Sequence, residues 1–302
     1  MNLFRTIARS AGRLGLAFGI LAFAAFAACG SAFAQQTRVN VVAAENFYGD
    51  VAKQIGGDYV DVTSILSNPD QDPHLFEASP KTARALQHAA LVVYNGADYD
   101  PWMDKLLAAS PNAKRTAIAA ASLVGAKSGD NPHLWYKPQT MPAVARAVST
   151  ALSAADPAHR PQYEANLDRF VKSLAPMEAH IERLHKSYAG VPVTATEPVA
   201  GYLCEALGLT TRNARFQLSV MNETEPAASD IAAFERDLRG KRVRLLLYNA
   251  QAVSKLTERM LALAKQSRVP IVSVTETQPA GKTYQQWMSG QVDALANALA
   301  AR

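Results

Sequence analysis

The sequence predicts an α/β protein of two lobes, each a mostly parallel sheet with flanking helices, bridged by one long helix. Short β-branched runs alternate with helix-like stretches in both halves of the chain. Between the halves, residues 161–187 contain no Gly and repeat apolar residues near helical spacing. A length of 302 residues is also close to the upper limit for a single hydrophobic core, which favours two lobes.

Residues 1–34 predict a secretory signal peptide. Three arginines at the start are followed by the apolar run 14–28, and the tripeptide Ala-Phe-Ala at 32–34 has the small-x-small pattern of a cleavage site. Cleavage before Gln35 would release the mature chain into the periplasm. The sequence therefore predicts an exported protein.

Two alternatives to simple cleavage remain open. The segment 14–37 carries no charge, so it is also compatible with an uncleaved membrane anchor. Cys29 could instead carry a lipid, although Phe26 fits the first position of such a site poorly. Cleavage before Gln35 ranks above both.

The charge of the mature chain gives no sign of a nucleic acid partner. The predicted leader holds three arginines and no acid, so its removal lowers the formal net charge from +5 to +2. A charge this close to zero provides no electrostatic footprint for nucleic acid or for an anionic membrane surface.

The first lobe is expected to span residues 35–158. Its strands are predicted where β-branched and apolar residues cluster, and its helices where apolar residues recur at helical spacing. The predicted strands are 39–44, 59–66 and 91–94, and the predicted helices include 46–55 and 80–88.

The bridge is predicted as a helix over 159–187, followed by a turn and a second lobe over 188–302. Pro176 lies inside the bridge and is expected to kink the helix or end a segment, because proline removes one backbone hydrogen bond. In the second lobe the predicted strands are 191–196, 243–248 and 270–274, and the predicted helices are 251–266 and 283–300.

Three candidate ligands lie in loops that follow predicted strands, because ligands bind beyond the carboxyl ends of strands in open parallel sheets, and a fourth lies in the loop 131–134 just before a helix. Taken singly, each has an ordinary alternative: a locally bonded loop histidine, a helix-starting glutamate or a loop acid. A proline before each histidine stiffens the loop that presents the ring. Two imidazoles and two carboxylates, two from each lobe, are predicted to face one cleft: His74, His133, Glu197 and Glu276.

Neutral imidazoles combined with carboxylates predict a divalent first-row metal site. Two bidentate carboxylates would allow a coordination number above four, which Mn²⁺ and Fe²⁺ accept, whereas the general affinity order favours Zn²⁺ over Mn²⁺. No phosphate-binding loop, dinucleotide fingerprint, zincin helix or nucleophile elbow is present in the sequence. We therefore expect a binding protein and not an enzyme, with a secreted metal-dependent hydrolase and a surface interaction protein with a vestigial metal site as the alternatives.

Five stretches carry a family resemblance: DPHLFEASP at 72–80, NPHLWYKP at 131–138, DPAHRPQYEANLDRF at 156–170, ATEPVAGYLCEALGL at 195–209 and NETEPAASDIAAF at 222–234. With these the chain resembles the metal-specific periplasmic solute-binding proteins of ABC importers, the zinc/manganese group also called the cluster A-I or adhesin-like family. The resemblance covers essentially all of the predicted mature chain. It implies two α/β lobes bridged by a long helix, a membrane permease as the partner and a transported metal ion in place of a catalytic cofactor. We expect the protein to be a monomer.

The resemblance also implies the ligand set. His74 and His133 match the family's first two ligands, and Glu197 matches a third that is His in zinc-type members and Glu in manganese- or iron-type members. The fourth is usually Asp; Glu276 is the nearest match, and Glu45 is a spare carboxylate that could replace it. Glu197 and the lack of a His-rich loop favour Mn²⁺, with Zn²⁺ close behind and Fe²⁺ as a further option.

Overall fold

The computed structural model describes residues 38–68, 76 and 79–301, and the predicted fold class is confirmed. In this part of the chain each lobe contains one four-stranded parallel sheet, and helices pack against both sheets. The predicted leader and His74 lie outside the described residues.

The first sheet has the strand order β2-β1-β3-β4, with β1 in the interior. Strand β1 is buried along nearly its whole length, because a parallel sheet is covered by helices on both faces. Its register places Val41 beside Val62 and Leu91. The elements of this lobe are β1 (Val39–Glu45), α1 (Asn46–Gly56), β2 (Val60–Leu66), α2 (Pro80–His88), β3 (Leu91–Tyr94), α3 (Pro101–Ala109), β4 (Thr116–Ala119), α4 (Ala120–Val124) and α5 (Thr140–Ala155).

The second sheet repeats this arrangement with the strand order β6-β5-β7-β8. The central pair β5 and β7 is buried, and the edge strand β6 is exposed. The elements of this lobe are β5 (Pro192–Ala195), α7 (Gly201–Ala206), β6 (Thr210–Arg212), α8 (Ala214–Met221), α9 (Ala228–Arg239), β7 (Leu246–Asn249), α10 (Lys255–Gln266), β8 (Ile271–Val274) and α11 (Tyr284–Ala300).

The bridge between the sheets is the 29-residue helix α6 (Arg160–Tyr188), which continues through Pro176. Of the two outcomes expected at Pro176, an end of the helix is therefore excluded, and a kink stays a prediction. The buried face of α6 holds Leu174 and Met177 on either side of the proline, so packing offsets the missing backbone hydrogen bond. The predicted boundaries of the two lobes stay a prediction.

Sequence patterns missed two of the four edge strands, β4 and β6, and misplaced the start of β7. Strand β4 is rich in Ala, and β6 is three exposed residues, so neither shows the β-branched clustering of a buried strand. Residues 243–245 were expected to belong to β7, which instead begins at Leu246.

The two lobes share one hydrophobic cluster, to which Phe47 and Trp135 contribute from the first lobe and Val193 and Trp287 from the second. Hydrogen bonds also cross between the lobes. The amide of Asn46 donates to the Gln278 carbonyl (2.8 Å) and accepts from the Gln278 N–H (3.0 Å). A shared core resists wide separation of the lobes, since opening would expose this apolar surface.

No helix within 38–68, 76 and 79–301 combines the length and the apolar character needed to cross a bilayer.

Candidate metal centre

The carboxyl ends of strands β1, β5, β7 and β8 place polar side chains at the cleft between the sheets. Glu45 is the last residue of β1, and Asn249 is the last residue of β7. Glu197 and Glu276 each lie two residues beyond a strand, β5 and β8 respectively. These side chains are almost fully buried, as parallel strands that end in covered loops require.

One ring nitrogen of His133 is hydrogen-bonded, and the other has no hydrogen-bond partner among the described residues. Its Nδ1 lies 2.6 Å from the Asn131 amide oxygen, which also accepts from the His133 backbone N–H. The orientation of that amide is set by its NH₂ group, which donates to the Pro198 carbonyl (2.8 Å). Because the amide oxygen can only accept, Nδ1 carries a proton, and in the neutral imidazole the lone pair is therefore on Nε2.

The free nitrogen of His133 faces a carboxylate of the other lobe. His133 is 1% exposed, and its Nε2 has no hydrogen-bond partner among the described residues. It lies 3.5 Å from Glu276 Oε2, too far for a good hydrogen bond. Two ligands on one tetrahedral ion with bonds of about 2.1 Å are about 3.4 Å apart. The His133–Glu276 separation therefore equals the spacing that two ligands of one cation would have.

Asn249 joins the two buried carboxylates of the second lobe. Its side-chain nitrogen donates to Glu197 Oε2 and to Glu276 Oε1, the latter at 2.7 Å. Burying two carboxylates side by side is unfavourable unless donors or a cation compensate their charge. Asn249 supplies part of this compensation with neutral N–H groups.

Tyr99 connects the carboxylate of Glu276 to the first lobe. Its hydroxyl donates to Glu276 Oε2 (3.2 Å), and its ring lies 4.8 Å from that of Trp135. Burial, followed by the nearby charges of Glu276 and Glu45, raises the pKa of Tyr99 well above its ordinary value. The hydroxyl therefore stays protonated and remains a donor.

Glu45 lies behind Tyr99, beside a second buried acid. Burial, followed by the neighbouring Asp100, raises the pKa of Glu45 well above its ordinary value. Burial also raises the pKa of Asp100 to about 6, against the opposing effect of the backbone N–H groups of Asn95 and Gly96. Burial thus raises the pKa of both acids of this pair.

The structure brings together three of the four sequence-predicted ligands but not into a finished site. His133 and Glu276 are adjacent, and Asn249 links Glu276 to Glu197. Within 38–68, 76 and 79–301, no three His, Cys, Asp or Glu side chains are already arranged to hold a metal ion. The fourth predicted ligand, His74, lies outside this part of the chain.

A cavity of about 520 Å³ reaches Glu197 from the surface. It lies between the α8–α9 and β7–α10 loops, and the exposed acids Glu223 and Glu225 line it together with Lys255. Two carboxylates against one ammonium give this approach a net negative potential, which favours cations.

Sequence reasoning missed Asn131, Tyr99 and Asn249. Asn249 follows the rule that located the ligands, because it ends a buried strand, but a polar residue there is also typical of a turn. Asn131 stands two positions before His133, where an amide commonly caps its own loop. No pattern in the sequence indicates Tyr99.

Comparison with known proteins agrees with this architecture. The family described as ZnuA, zinc-uptake complex component A periplasmic, matches residues 41–298. The chain belongs to this family. The matched span contains both sheets, the bridging helix and every candidate ligand.

Among its relatives are streptococcal proteins named for metal transport. The metal ABC transporter substrate-binding lipoprotein ScbA of Streptococcus cristatus is 25% identical over 305 residues, which cover 93% of this chain and 96% of the relative. The iron ABC transporter substrate-binding lipoprotein MtsA of Streptococcus pyogenes serotype M1 is 24% identical over 310 residues, which cover 95% and 97%. The name of the first relative thus specifies no particular metal, and that of the second specifies iron.

Solved structures show the same fold. The periplasmic zinc binding protein TroA from Treponema pallidum superposes with a TM-score of 0.72 at 18% identity, over 87% of this chain and all of that one. A mutant of the laminin-binding adhesin Lmb from Streptococcus agalactiae gives 0.71 at 21% identity, over 86% and 99%.

Proposed function

We propose that this family member is the extracytoplasmic metal-binding component of an ABC importer. It takes up a divalent transition metal, Mn²⁺ or Zn²⁺ with Fe²⁺ as a further option, in the cleft between the lobes and delivers it to a membrane permease. The observation that carries the proposal is the buried Nε2 of His133, fixed as an acceptor and 3.5 Å from Glu276 Oε2. The names of the relatives, all of them metal transport proteins, support it.

The proposed ligands are His74, His133, Glu197 and Glu276. Glu276 is preferred to Glu45 because it lies beside His133, whereas Glu45 lies beside Asp100 and its pKa is raised well above the ordinary value by burial. A protonated carboxyl is a poor metal ligand, since a ligating carboxylate must first lose its proton.

The proposed role is binding and transfer, without chemical change of a substrate. Four protein ligands would fill the coordination sphere, whereas a catalytic zinc keeps one position open for water. The described ligands all come from one chain, so the proposed unit is a monomer. The competing hydrolase would show turnover of ester, phosphate or peptide substrates, which we do not expect.

Release to the permease is proposed to proceed by loop movement more than by wide separation of the lobes. The shared core supports this, since separating the lobes would expose it. The loop that carries Glu276 is held to the first lobe through the reciprocal Asn46–Gln278 hydrogen bonds. Breaking two hydrogen bonds requires far less free energy than exposing the core.

The test of this function is the metal content of the native protein. Protein purified without chelator and without a metal-affinity tag is expected to carry close to one equivalent of a first-row divalent metal by elemental analysis. After removal of the metal, calorimetry should show uptake of one equivalent. Absence of bound metal, with no uptake by the folded apoprotein, would contradict the proposal.

The location is proposed as periplasmic, with cleavage before Gln35. The relatives named lipoproteins favour the alternative in which Cys29 is lipidated and becomes the first residue. The intact mass of protein from its native host distinguishes the two. We expect a soluble chain that begins at Gln35; a membrane-bound chain that begins at Cys29 with added acyl mass would replace that assignment.

A further inference from the structure

Asn249 is held both at its backbone and at the carbonyl end of its side-chain amide. Its backbone N–H donates to Thr196 Oγ1 (3.0 Å), and its side-chain oxygen accepts from the Gln251 backbone N–H (3.0 Å). The residue is 1% exposed. Because the carbonyl end is held in this way, the NH₂ group must point to the carboxylates, and it has no other orientation that keeps these hydrogen bonds.

The loop that carries Glu276 is tied to the same network. The Gln251 side-chain oxygen accepts from the backbone N–H groups of Glu276 (2.5 Å) and Thr277 (3.2 Å). Its NH₂ group donates to Thr277 Oγ1 (2.7 Å). Asn249 and Glu276 are therefore positioned by one connected set of hydrogen bonds, which favours their contact persisting when an ion enters.

The contact with Asn249 engages one oxygen of each carboxylate. Glu197 uses Oε2 and Glu276 uses Oε1. The other oxygen of Glu276, Oε2, is the one that lies 3.5 Å from His133 Nε2. An ion beside His133 thus meets Glu276 through a single oxygen, while the second oxygen stays on the Asn249 side.

We infer that Asn249 is a positioning residue that makes both carboxylates bind the ion through one oxygen each, and that it thereby favours Zn²⁺ over Mn²⁺. The inference rests on the proposed function and adds metal selectivity to it. Two imidazoles and two single oxygens give four ligands, which suits tetrahedral Zn²⁺. Two-oxygen binding would raise the number to six, which Mn²⁺ accepts. This outcome differs from the preference for Mn²⁺ that was drawn from Glu197 and the lack of a His-rich loop.

The test compares wild-type protein with Asn249→Ala and Asn249→Ser. Alanine donates no side-chain hydrogen bond, and serine can donate one but not two. We expect the ratio of the Mn²⁺ to the Zn²⁺ dissociation constant to fall about tenfold or more in Asn249→Ala and by less in Asn249→Ser, as changes behind a ligand commonly produce 10- to 100-fold effects. X-ray absorption of the Mn²⁺ forms should show more oxygen neighbours in the alanine variant than in the wild type.

Circular dichroism first establishes whether each variant is folded. If Asn249→Ala is not folded, the comparison of Asn249→Ser with the wild type tests the inference. An unchanged ratio and an unchanged coordination number in a folded variant that still binds metal would overturn the inference and leave the proposed function intact. An equal loss of both metals would also overturn it, because a merely structural support lowers both affinities alike. Wild-type protein that binds neither metal would instead contradict the proposed function.

Discussion

His133→Ala is expected to lower metal affinity by more than 100-fold while the chain remains folded. The substitution removes the acceptor nitrogen that faces Glu276 at 3.5 Å. Loss of a residue that merely supports a ligand commonly costs 10- to 100-fold in metal affinity, and loss of the ligand itself should exceed this. Competition titration against a chelator of known affinity measures the change.

The matched control for this variant is His180→Ala. His180 lies on α6, is partly exposed and pairs with Asp293 (3.2 Å), away from the cleft. Its replacement should leave metal affinity within about twofold. If His133→Ala binds metal as tightly as the wild type, His133 is not a metal ligand and the proposed site in the cleft is wrong.

Trp287→Ala is expected to lower the free energy of unfolding by about 3–5 kcal/mol, the usual range for a buried aromatic residue. Trp287 lies on α11 in the second lobe and is 2% exposed. Its ring is 5.9 Å from those of Phe47 and Tyr136, both of the first lobe. The variant therefore leaves a cavity in the core that joins the lobes. Urea unfolding of the metal-free protein, followed by circular dichroism, measures the loss.

Trp102→Ala provides the comparison, because it removes the same side chain from a half-buried position against Phe76. Its effect should be clearly smaller. A loss below about 1 kcal/mol for Trp287→Ala would mean that the lobes do not depend on their shared core. The proposal of release by loop movement would then lose its main support.

Much of the candidate site was predictable, because its residues obey a rule about strand ends. Strands β2, β5 and β8 were recognised, and the polar residues that follow them were thereby placed at one edge of each sheet. Glu276 was predicted on this basis, and it lies next to His133, which was predicted from a loop before a helix. The ligand set as a whole stays a prediction, since His74 lies outside the described residues.

Other features of the site were not predictable, because they depend on contacts between distant parts of the chain. Asn131 sets the tautomer of His133 only because Pro198, 67 positions later, accepts from its amide. Glu45 ends β1 as Asn249 ends β7, yet only the fold reveals that Asp100 lies beside Glu45. Spacing along a sequence gives neither kind of proximity.

The sequence by itself determined the fold class, the succession of strands and helices and the residue types that can bind a metal, because these depend on local propensity and hydrophobic periodicity. Only the tertiary structure decided which oxygen and which nitrogen face each other, and that Asn249 engages both carboxylates. The physical reason is that metal coordination tolerates differences of only a few tenths of an ångström in the distances between ligand atoms. Packing of the lobes against one another sets such distances, and no pattern of residues along the chain encodes them.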